Sequence, residues 1–142
     1  MFHYLNNYFI SFDNIIMWKD FLLTGLILML LDTIFLYSNG TMFKEQIIKV
    51  QKSAFVMDYS AAAFAYILLI VGLYWFIIKE NRGLLDAFIL GFVIYGVYEG
   101  TTKALLKNWN YKTMVVDTLW GGTLMALTTL IVYRLRDVKA FK

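Results

Sequence analysis

Residues 59–78 read YSAAAFAYILLIVGLYWFII, a run without a single charge. A helix needs roughly 20 such residues to cross the ~30 Å hydrocarbon core of a bilayer. Buried helices of soluble proteins are usually shorter, and strands are far shorter. Working outward, residues 18–36, 84–106 and 113–133 form three more apolar stretches of similar length. In lipid every backbone amide must be bonded internally, which leaves helices or closed barrels, and four spans of this length cannot close a barrel. The expected fold is therefore an all-α integral membrane protein, a four-helix transmembrane bundle over residues 18–133.

Composition agrees. Hydrophobic residues make up 61% of the 142 and charged residues only 16%, against roughly a quarter charged in soluble domains. The net charge of +3 comes mostly from residues flanking the apolar blocks, where basic side chains set topology and meet anionic headgroups. Nucleic acid is a poor fit, and membrane lipids are the expected partners. There is no Cys, and His3 is the only histidine, so thiolate chemistry and a histidine-built zinc or iron centre have no ligands. No cofactor motif, metal motif or nucleophile–base pair is legible. Pro is absent too, which removes one usual signal of broken-helix transporters. The N-terminus lacks a basic region and a small-residue cleavage site, so the first span is expected to be retained.

The connections differ in kind. Residues 79–83 and 107–112 are tight hairpin turns, the second with Trp109 and Tyr111 as interface anchors. After the first span, Ser38-Asn39-Gly40 reads as a turn. Asn39-Gly40-Thr41 also fits a glycosylation sequon, but the turn reading comes first. Beyond it Phe43, Ile47, Val50 and Ala54 recur at helical spacing, with Lys44, Glu45, Lys49 and Lys52 largely opposite. That pattern predicts a short interfacial helix over residues 42–53. Phe2, Leu5, Phe9, Phe12 and Ile16 give residues 1–17 a similar amphipathic stripe. Residues 134–142 form a basic tail, and its density of Lys and Arg favours cytoplasmic termini.

Acids lie inside the spans. Because the helices alternate in direction, Asp32, Glu99 and Asp117 fall in the same half of the bundle, roughly one to two helical turns from their span ends. Asp58 marks the entrance of the second span on that side, and Asp86 lies on the other. A charge facing lipid at depth costs at least ~2.5–3.5 kcal/mol, so these acids should face inward and be paired or neutral. Lys103 follows Glu99 by one helical turn, the favourable order for an ion pair. Thr102 and Tyr95 share nearly the same face. Asp117, Gly121, Leu124 and Thr128 form one stripe with Trp120 beside it. Asp32, Glu99, Lys103, Asp117, Trp120, Tyr95 and Thr102 are thus the candidate ligand-binding residues. Gly96 and Gly100 form a small-xxx-small pair suited to close packing within the bundle, with self-association as the other use.

Leu31-Asp32-Thr33-Ile34-Phe35-Leu36, residues 91–99 (GFVIYGVYE), Leu106-Lys107-Asn108-Trp109 and residues 115–121 (VVDTLWG) resemble the domain of unknown function 2177 family of predicted membrane proteins. The resemblance runs from about Phe21 to about Thr129. It implies a four-helix membrane protein, found mostly in bacteria, with no activity to carry over. The family pattern usually has Asp at Glu99, Asn at Thr102 and Pro at Asn110. Three functions stay open: binding or transport of a proton, cation or lipid headgroup at the acids, a lipid-modifying enzyme using a carboxylate as general base or as a magnesium ligand, and a structural protein whose acids fix helix register.

Overall fold

The computed structural model describes the backbone of residues 2–140 and the side chains of residues 17–137. It contains helices α1 (Phe2–Gln51), α2 (Tyr59–Leu73, extended by a π-helical turn over Tyr74–Ile78), α3 (Leu84–Leu105) and α4 (Tyr111–Ala140). Each includes a stretch long and apolar enough to cross a membrane. Leu22, Leu26 and Leu85 are about two-thirds exposed (67%, 68% and 70%). Apolar surface on this scale, repeated on every helix, is not tolerated in water. It is the face a membrane protein turns to lipid.

The helices pack as one bundle, with α3 against α4 as the most extensive pairing and α1 against α4 next. α2 leans on α1 and touches α3 and α4 only sparsely. Leu28, Leu73, Ile78, Leu124, Met125 and Val132 are fully buried between helices. Lipid tails are as apolar as these side chains, so close fit rather than water exclusion holds the helices together. Glycine supplies the closest fit, where Gly91 faces the backbone of Gly121. Gly122 lies under the ring of Phe88, and Gly121 under that of Tyr95. The Gly96 and Gly100 pair contributes less, since Gly96 meets only Thr118 and Gly100 faces open space.

One connection differs from the sequence reading. The helix of residues 42–51 exists, but it continues the first span without a break, so Ser38-Asn39-Gly40 is not a turn. The side chains that signal a turn are absorbed by the helix. Ser38 donates to the Ile34 carbonyl at 2.9 Å and Asn39 to the Phe35 carbonyl at 3.1 Å, and no glycine adopts a positive φ. From Met17 to Gln51 α1 measures about 52 Å at 1.5 Å per residue, well beyond the hydrocarbon core. The extension ends at Lys52, whose φ of 54° is left-handed. Its half-buried face carries Phe43, Ile47 and Val50. The stripe on residues 2–16 lies outside the described side chains.

Asp58 precedes α2 and accepts hydrogen bonds from the Ser60 hydroxyl (2.6 Å) and from the Ser60 and Ala61 amides. It is therefore the N-cap of α2 and takes no part in the buried acids. The Ser60 hydroxyl first, then the two amides, hold its carboxyl below the usual carboxylate value.

At the other end of α2 the π-turn closes with Lys79 N–H on the Tyr74 carbonyl, and side chains of α4 bond to the turn between α2 and α3. The Tyr133 hydroxyl donates to the Ile77 and Arg82 carbonyls. Arg136 donates to the Ile78 carbonyl and to Asn81. It also pairs with Asp20 of α1 at 2.8 Å. Four spans place residues 79–83 and both termini on one side. Cysteines at Arg82 and Lys139 should therefore label with a membrane-impermeant reagent from the same side, and one at Lys49 from the other. Opposite labelling of Arg82 and Lys139 would break the four-span topology.

Candidate functional site

Asp32, on the bundle face of α1, is buried, with 6% of its surface exposed. It accepts the Tyr66 hydroxyl of α2 at 2.5 Å on one carboxyl oxygen and the Trp120 indole N–H of α4 at 2.7 Å on the other. Phe35, nearly one turn on, stacks on the Trp120 ring with centroids 4.2 Å apart and fixes the indole. One carboxylate thus joins three helices. These two donors replace the water that lipid excludes.

Glu99 of α3 is 1% exposed and accepts the Trp109 indole N–H at 2.6 Å. The expected Glu99–Lys103 ion pair does not form. Lys103 donates to the Trp109 carbonyl at 2.6 Å and lies over the Tyr111 ring. Its ammonium is drawn to the helix end, where a free carbonyl and a ring satisfy it at less desolvation cost. The Arg136–Asp20 pair is the only ion pair among the described residues. Thr102 bonds back to the Tyr98 carbonyl at 2.7 Å, so its hydroxyl serves its own helix.

Asp117 of α4 adjoins the Glu99 carboxyl and opens on a cavity of about 380 Å³. Ala65, Leu68 and Leu69 of α2 and Ile94, Tyr95 and Tyr98 of α3 complete its walls. This is the cleft left where α2 stands away from α3. Tyr95 is held there by its ring packing on Gly121. Among the described residues, no three acid or imidazole groups are arranged to hold a metal ion.

Sequence reasoning missed two donors. Tyr66 was hidden in an otherwise apolar span, although helix direction and rise put it in the same half of the bundle as Asp32. Trp109 reads as an interface anchor but is 7% exposed and faces inward to Glu99. No spacing rule announces that, because a loop carries it.

A bundle of four lipid-facing helices with buried carboxylates and a lateral cleft defines a multi-pass integral membrane protein. The chain belongs to the family described as "Predicted membrane protein (DUF2177)", which matches residues 17–134. Comparison with curated proteins and with solved structures gives no match.

Proposed function

We propose that this protein binds a cationic amphiphile, an amine-headed lipid or a hydrophobic amine, in the cleft between α2 and α3, with Asp117 as the counter-ion. The observation that carries this reading is the charge arrangement. Asp117 borders the cleft, Asp32 and Glu99 are engaged by indole and phenol donors, and Lys103 is occupied elsewhere. No described basic side chain pairs with any of the three acids. Asp117 adjoins the Glu99 carboxyl, and two neighbouring acids in lipid without a cation are costly; an ammonium ligand supplies the positive charge. The rings of Tyr95 and Tyr98 offer faces that attract a cation, and the cleft's apolar walls suit an alkyl chain. The volume of about 380 Å³ falls in the ordinary range of small-molecule sites. On this reading Asp32 and Glu99 are structural, and Asp117 meets the ligand.

Dodecylamine should raise the unfolding temperature of the purified protein in neutral detergent, because a ligand that binds only the folded state stabilises it. Dodecanol, of equal chain length but uncharged, should not. Asp117→Asn, nearly isosteric, should abolish the amine response. An equal response to both compounds, or an undiminished one in Asp117→Asn, defeats the proposal. Turnover of a labelled amine lipid would point instead to the lipid-modifying enzyme.

A further inference from the structure

The geometry points to a second ligand site, for a phosphate group, in the polar crevice between the α1 extension and the start of α4. The crevice has a volume of about 440 Å³ and lies on the same side as the α3–α4 loop. Thr41, Met42, Glu45, Gln46 and Lys49 line it from α1. Asn110, Lys112 and Thr113 line it from the other side. It is separate from the Asp117 cleft and does not depend on that reading.

Three features argue for a built anion site. First, the two walls are tied together. Gln46 is 6% exposed and donates to the Asn108 carbonyl at 2.9 Å, so the extension of α1 is fastened over the α3–α4 loop and the crevice exists before any ligand arrives. Second, the donor set suits phosphate. Lys49 and Lys112 contribute two ammonium groups against the single carboxylate of Glu45. Asn110 turns its amide oxygen to the Lys112 N–H at 2.9 Å, which leaves its NH₂ group as a donor. Thr113, 1% exposed, adds a hydroxyl to the lining. The first turn of α4, a 30-residue helix, adds the positive end of its dipole. Third, the position suits it. The crevice opens beside Tyr111 at the start of α4, an exposed aromatic of the kind found at headgroup level. Lys44 and Lys52 flank its α1 wall in sequence, and basic residues beside a span draw anionic headgroups.

Binding to the full-length protein in dodecylmaltoside can be followed by the rise in unfolding temperature across a titration. The probes are dihexanoyl phosphatidic acid, inorganic phosphate and, as a phosphate-free control, dihexanoylglycerol, all at matched ionic strength. Stabilisation by the phosphatidic acid alone assigns a lipid phosphate. Stabilisation by inorganic phosphate as well assigns the phosphate group itself. Dihexanoylglycerol should do nothing. In the double variant Lys49→Gln/Lys112→Gln the apparent Kd should rise about tenfold or more, as loss of charge-assisted bonds implies. Lys107→Gln, outside the crevice, should bind as the native protein does. If the double variant does not fold, Lys112→Gln alone should still weaken binding. No response to either phosphate probe in the native protein overturns the site. So does a Kd unchanged by removing the crevice lysines, or one raised equally by Lys107→Gln.

Discussion

Gly91→Val should be among the most destabilising single substitutions in this bundle, costing about 3 kcal/mol, at the upper end of ordinary overpacking. A side chain at Gly91 would meet the carbonyl of Gly121, which is backbone of the facing helix. A flexible side chain could swing away, but a helix backbone cannot. α3 and α4 would have to separate, and theirs is the most extensive pairing in the molecule. Separation would also move Tyr95 off Gly121 and disturb the wall of the Asp117 cleft. Gly100→Val is the matched control on the same helix, because nothing lies within 4 Å of a Cβ there. It should be neutral or slightly stabilising, since valine restricts the unfolded chain more than glycine does. Denaturant titration in mixed micelles reads both. Similar losses at the two positions would mean that the helix approach at Gly91 is not the close one described.

The second large effect is expected at Asp32. Trp120→Phe keeps a ring for stacking on Phe35 but removes the indole N–H. Tyr66→Phe removes only a hydroxyl. Each leaves a buried carboxyl one donor short and should cost about 2 kcal/mol, within the usual range for a buried polar group left without a partner. The decisive measurement is a double-mutant cycle. In an Asp32→Ala background the indole N–H has lost its acceptor, so Trp120→Phe should cost much less than in the native protein. An equal cost in both backgrounds would show that Trp120 acts by packing alone, and the three-helix junction at Asp32 would lose its physical basis.

How far the sequence can be read depends on which forces are local. Span number and length follow from hydropathy, since each 20-residue apolar run must satisfy its backbone by itself in lipid. The placement of Asp32, Glu99 and Asp117 in one half of the bundle follows from helix direction and rise. The α1 extension was legible as amphipathic helix, but its junction with the span was not. Ser38, Asn39 and Gly40 are turn formers in water, yet within a helix Ser38 and Asn39 bond back to carbonyls one turn earlier.

The partners of the acids were not legible. Glu99 and Lys103 have ideal spacing on one helix, but spacing measures only intrahelical reach. The loop brings Trp109 to Glu99 and offers Lys103 a carbonyl outside the core. By itself, the sequence determined that the chain is a four-span membrane protein and which residues lie too deep to be solvated. The tertiary structure alone decided which acid is enclosed by donors and which faces a cleft. That distinction arises from distances between helices, set by glycine contacts at Gly91 and Gly121 and by the stance of α2 apart from α3, and no pattern along one chain segment encodes them.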